Sequence, residues 1–164
     1  MRTLFLLTVI TLCLAGCATV ISKQSLSLVD RGITFAELRQ DPYRYTGRHL
    51  LLAGGIAGVR NTSEGGELEL VQFAADDNGM ITDTTNSGGR FIARSSGFLD
   101  PAVYRTGLLV TLVGEVRGKK NMLLDKVVYT YPVLDIREIH LWKPEEFPRP
   151  PTFHFGIGIG TIIR

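Results

Sequence analysis

Four residues, Leu14-Ala15-Gly16-Cys17, close an apolar N-terminal run and set conditions on everything that follows them. One Arg (Arg2) precedes a stretch from Leu4 to Leu14 broken only by Thr, and small residues and a cysteine come next. That is the layout of a secretory signal peptide with a lipobox processing site. The stretch falls short of the roughly 20 residues that a spanning helix needs. Residues 1–16 are therefore expected to be removed, leaving Cys17 as the acylated first residue. Both cysteines of the chain are then used, Cys13 lost with the leader and Cys17 occupied by lipid. No disulfide remains, even in a compartment that would permit one. Stability must come from a packed core, and a remaining chain of roughly 150 residues suits one domain burying about two thirds of its unfolded surface.

Charge narrows the choice of partners. The chain carries 18 Lys+Arg against 16 Asp+Glu, a formal +2, and loss of Arg2 leaves 17 against 16, or +1. Such a balance gives no electrostatic reason to expect nucleic acid or a strongly acidic partner. The membrane is the partner that the sequence implies: each buried methylene of an acyl chain contributes about 0.8 kcal/mol, so three chains on Cys17 would give stable anchoring.

The segment 17–30 is polar and Ser-rich without a sustained period and reads as the lipidated cysteine and a tether. Thr34 with Glu37 three residues on forms a capping box opening a short helix that stops before Asp41-Pro42. His49 to Val59 reads as a strand, its Gly54-Gly55 pair suggesting a bulge or sharp coil. Glu67 to Phe73 alternates and pairs with it as a hairpin across the turn Asn61 to Gly66. The acidic stretch Ala74 to Gly89 reads as a loop, or as a calcium site if its carboxylates converge, although the spacing of an EF-hand is absent. Arg90 to Arg94 is a short strand, and Asp100 caps a helical turn with Pro101 in first position. Leu108 to Val116 is strongly β-prone, and Gly118-Lys119-Lys120-Asn121 is expected to turn the chain back as Met122 to Tyr131. Pro132 belongs at an edge or bulge. A domain spanning 31–142 is thus expected, followed over 143–164 by a Pro-rich linker and an apolar strand in which Phe153, Phe155, Ile157 and Ile159 share one face.

No catalytic device is legible. His49, His140 and His154 lie far apart without HExxH or cysteine partners, so no metal is expected. Ser95-Ser96-Gly97 lacks the pattern of a nucleophile elbow. Gly88-Gly89-Arg90 precedes a strand rather than a helix and reads as a turn, not a phosphate cradle. The chain is expected to be no enzyme and to carry no cofactor.

Several motifs together carry a family resemblance: Gly47 with Leu52-Ala53-Gly54-Gly55-Ile56, Leu68-Glu69-Leu70-Val71-Gln72, and Ser87-Gly88-Gly89-Arg90-Phe91. Phe98-Leu99-Asp100-Pro101 with Tyr104 and Gly107, Thr111-Leu112-Val113-Gly114 with Gly118, Tyr129-Thr130-Tyr131-Pro132-Val133 and Leu141-Trp142 continue it. With these the chain resembles the Slp family of starvation-inducible outer-membrane lipoproteins from Gram-negative bacteria. The segment Phe73-Ala74-Ala75-Asp76 departs from the proline-containing turn often found there. The resemblance implies lipidation at Cys17, stress-associated expression and, with Ala18 rather than Asp after Cys17, sorting to the outer membrane, where the domain would face the periplasm.

The fold expected is all-β, a small OB-like barrel of five or six strands with one or two short helices, a two-sheet sandwich being the alternative. The function expected is a non-catalytic binding or structural role in the cell envelope, with an envelope protein or glycan as partner. The alternative is a ligand-binding barrel whose surface around Arg90, Phe91, Tyr104 and Tyr129 holds an oligosaccharide or peptidoglycan fragment. That surface requires all four side chains to be accessible.

Overall fold

A computed structural model describes residues 19–146. The expected signal peptide, Cys17 and the apolar C-terminal strand lie outside the described residues. Helices α1 (Lys23–Leu26) and α2 (Phe35–Gln40) and a 3₁₀ turn at Pro42–Tyr45 precede six strands. These are β1 (His49–Thr62), β2 (Gly65–Ala75), β3 (Ile81–Asp83), β4 (Gly89–Ser95), β5 (Leu109–Leu124) and β6 (Val127–Leu141). The Thr34 capping box forms as expected, with the Thr34 N–H donating to Glu37 and the Glu37 N–H to Thr34 Oγ1.

Pairing decides between barrel and sandwich. β1 pairs antiparallel with both β2 and β5, β2 with β4, and β5 with β6. β4 then runs parallel to β6 through Ile92–Val133, Ala93–Leu134 and Arg94–Asp135. The order β1-β2-β4-β6-β5 therefore returns to β1, and β3 extends β2 alone. A sheet that closes on itself has one interior, as in an OB-like barrel, whereas a sandwich keeps two separate sheets.

Alternation along the strands fills that interior: Leu50, Leu52, Leu68, Leu70, Phe91, Val110, Leu112 and Leu134 are all buried in one cluster. Burying each such side chain contributes about 1.5–3 kcal/mol. Strands of 11–16 residues can wrap a small barrel only if they coil, and bulges at Ile56/Gly58, Val113/Gly114 and Val116/Gly118 supply the bends. Gly54 does not form the first bulge but allows β2 to approach, since a Cβ there would lie 2.5 Å from the Val71 carbonyl oxygen. The two barrel ends are plugged differently. At the start of β4, α2 inserts Phe35 and Leu38, with the Phe35 ring edge-on to Phe91 at 5.8 Å. Beyond the end of β4, Leu99 is held by both its N–H and carbonyl to the Asn61 side chain at 2.8 Å, and the Asp100 carboxylate accepts the Ala102 N–H.

Two expectations need correction. The chain does not turn at Gly118–Asn121: β5 runs on to Leu124, and the turn is Asp125-Lys126, with Asp125 at φ 54°. Gly118 (φ 119°) serves a bulge instead, and the Tyr43 ring packs where its side chain would be. Nor is the chain up to Asp30 a tether. From Ile21 onward it is packed down, with Ile21 fully buried, α1 folded and Val29 bridged to His49.

Candidate functional site

The outer surface of β2, β4 and β6 is the face on which OB-type barrels hold ligands, bounded by the loops β1–β2 and β5–β6. Period-2 alternation puts Glu67 and Glu69 of β2, Arg90, Ile92 and Arg94 of β4, and Tyr131, Val133 and Asp135 of β6 on this side. Ile92, Tyr131 and Val133 are buried there as a second, smaller core, against which Met122 and Tyr129 pack. Around it runs a ladder of ion pairs. Glu67 binds Lys120 at 2.9 Å and Arg60 at 3.0 Å; Glu69 binds Arg90 at 2.6 Å. Asp135 holds Arg94 at 2.8 Å and Arg117 at 2.7 Å, and Arg117 reaches Glu115 at 2.7 Å.

The Tyr131 hydroxyl donates to Glu69 at 3.0 Å, and its ring meets Tyr129 edge-on at 4.8 Å. Burial first, then the Glu69 carboxylate, pushes the Tyr131 phenol up to about 12, so it remains a neutral donor. Its hydrogen bond to Asp135 holds Arg117 above the ordinary guanidinium range. A polar cleft of about 350 Å³ opens beside Asp135, lined in part by Thr62, Glu64, Arg94, Ser95 and Ser96. Its hydroxyls can hydrogen-bond a neutral polar ligand. A charged ligand would have to displace the Arg94–Asp135 pair, leaving one partner short of a counter-charge.

The four side chains expected to form a groove do not share a surface. Phe91 is fully buried in the barrel interior, because neighbours on a strand point to opposite faces and Arg90 points out. Tyr104 packs against the core from the turn after β4, at the barrel end away from Gly89. Arg90 and Tyr129 do meet, the Arg90 N–H donating to the Tyr129 hydroxyl at 3.0 Å. The groove reading over all four is thereby overturned. The residues that sequence reasoning missed are Glu67, Glu69, Arg94, Tyr131 and Asp135. The alternation of Glu67 with Glu69 against Arg90 and Arg94 was the available signal. In the acidic stretch, the Asp76 and Asp83 carboxylates accept N–H groups of their own loop. Among the described residues no three His, Cys, Asp or Glu side chains are grouped to hold a metal ion.

Comparison with known proteins bears on the family and leaves the ligand open. The model of the outer membrane lipoprotein Slp family matches residues 14–157. Outer membrane protein Slp of Escherichia coli K12 is 29% identical over 113 residues, 69% of this chain and 60% of that protein. The uncharacterized lipoprotein YeaY of the same organism is 28% identical over 153 residues, 90% of this chain and 79% of its own. This chain thus spans about three fifths of the first relative's length. Among solved structures, the yeast mitochondrial single-stranded DNA binding protein Rim1 has 14% identity and a TM-score of 0.36, over 58% of this chain and 94% of its own. A small single-stranded DNA-binding protein of Streptomyces coelicolor has 14% identity and a TM-score of 0.33 over the same shares. Likenesses that low carry nothing about ligands, and the barrel topology rests on the strand pairing alone.

Proposed function

Because this chain belongs to the outer membrane lipoprotein Slp family, we propose that acylated Cys17 anchors its barrel to the outer membrane, on the periplasmic side, where it binds or braces another envelope component without catalysis. One observation carries the reading. Thr19 and Val20 are half-buried, Ile21 is fully buried, and the Ser22 N–H and hydroxyl both donate to Glu138, at 2.8 and 2.6 Å. Only Ala18 lies between Cys17 and Thr19, two chain steps that span at most about 7 Å. Lipid on Cys17 would therefore hold the folded domain directly on the bilayer, as suits a scaffold whose position is its function. The internal ion pairing of the β2–β4–β6 face supports a binding role over a catalytic one, since its carboxylates are engaged by neighbouring cations. Stress-associated expression belongs to the same reading.

The test is Cys17→Ser. The variant should lose labelling by an alkyne fatty acid and leave the outer-membrane fraction for the soluble one, while Cys13→Ser changes neither. Retention of both label and membrane fraction in Cys17→Ser would overturn the anchor.

A further inference from the structure

The N- and C-terminal segments meet on one side of the barrel. Thr111, fully buried on the outer side of β5, donates through Oγ1 to the Gly79 carbonyl at 2.8 Å and accepts from Trp142 Nε1 at 3.0 Å. A side chain on Gly79 would touch Ile21 as well as Thr111 and Leu51. The start of the described chain, the loop between β2 and β3 and the end of β6 thus form one pole. It carries two exposed large apolar side chains, Leu28 (42% exposed) and Met80 (45%), among exposed charges of both signs, Lys23 and Lys143 with Asp76, Asp77, Glu145 and Glu146.

We propose that this pole is a bilayer-contact surface, seated on the membrane by Leu28 and Met80, with the β5–β6 ribbon projecting away from the lipid. The inference rests on the acylation of Cys17 proposed above and adds the orientation. Distance chooses the face. Cys17 lies within about 7 Å of Thr19, whereas Leu124 stands thirteen steps along β5 from Thr111, about 43 Å along the strand at about 3.3 Å per step. The more exposed apolar residues Leu123, Val127 and Val128 sit at that far end. Greater exposure at the tip would favour its insertion if the anchor were long, but an anchor this short favours the pole. The end of β6 is fixed at the pole as well, because the Trp142 N–H is bonded to the Leu109 carbonyl beside Thr111.

The experiment uses the lipidated full chain in vesicles of phosphatidylethanolamine and phosphatidylglycerol containing lipids with brominated acyl chains. With Cys17 acylated and Cys13 removed, a single added thiol takes bimane uniquely, in Lys143→Cys or in Val127→Cys. The expected result is loss of most emission at position 143 to brominated lipid and almost none at 127, with aqueous iodide giving the reverse. Leu28→Asp with Met80→Asp should abolish lipid quenching at 143 while the chain still floats with the vesicles and melts as before. Quenching at 127 instead of 143, or quenching unchanged in the double variant, would overturn the orientation. If truncation after Pro151 removed the quenching at 143, the C-terminal segment and not the pole would be the contact, which overturns it too. Failure of the parent chain to float would refute the lipid anchor itself, and is read separately from the quenching.

Discussion

The two ends of β5 contrast. At its start, Thr111 and Val113 on the outer side are as buried as any residue in the barrel, Thr111 being covered by the Gly79 loop and Trp142. At its finish, Leu123, with Val127 and Val128 across the turn, stands two thirds exposed. Val113 and Leu123 are both large apolar residues of β5, so side-chain hydropathy does not explain the difference. What differs is whether another segment returns to cover the strand. Burial of an outward-facing strand residue depends on distant sequence and is not a property of the strand.

Removing the cover at the first end should have the largest effect. Trp142→Ala is expected to destabilise the domain by about 3–5 kcal/mol and Ile21→Ala by about 2–5 kcal/mol, as large-to-small changes at buried sites do. Urea unfolding measures both, and a change near zero for Ile21→Ala would restore a free tether and dissolve the contrast. Midway along the ribbon, where Tyr131 pairs with Lys120, the expected effect is smaller and depends on pH. The phenol ionises at about 12 in the folded chain and near 10 when unfolded. Stability is therefore full below about pH 10 and declines as pH rises towards 12, because only the unfolded chain releases the proton. Tyr131→Phe should remove on the order of 1 kcal/mol of that alkaline decline, seen by comparing melting temperatures of the two chains from pH 9 to 12. An unchanged decline would show that Tyr131 is not held neutral by its surroundings. The smallest effect belongs to the tip, where Leu123→Ser and Val128→Ser should each shift stability by no more than about 0.5 kcal/mol. A larger loss in the isolated chain would mean that the tip is covered after all.

The same contrast explains what the sequence disclosed. Local signals were read correctly where a local rule is enough: the Thr34–Glu37 capping box, the β1–β2 hairpin, and the turn that Asp100 caps. The β5–β6 turn was misplaced because a positive φ at Gly118 serves a hairpin turn and a bulge equally well. The choice was made by Tyr43, seventy-five residues earlier in the chain, whose ring lies against the bulge. The N-terminal segment resembles a tether because Ile21, the Ser22–Glu138 bonds and the Val29–His49 bridge hold it at scattered points, which leaves no periodicity. The proposed groove failed for a reason that was available in advance: Arg90 and Phe91 are neighbours on a strand and cannot face the same way. Glu67 and Glu69 face Arg94 and Arg90 across the antiparallel β2–β4 pair, but Asp135 joins them only through the parallel β4–β6 contact, which no short-range pattern announces.

The bond between Ser22 and Glu138 joins residues 116 positions apart, nearly the whole described chain. It imposes an order of events. A chain emerging N-terminus first can form the β1–β2 hairpin early, but Ser22 has no Glu138 to bind until β6 has also emerged. The first segment out is thus among the last to be secured, and completion of this pole reports that the entire barrel has been delivered.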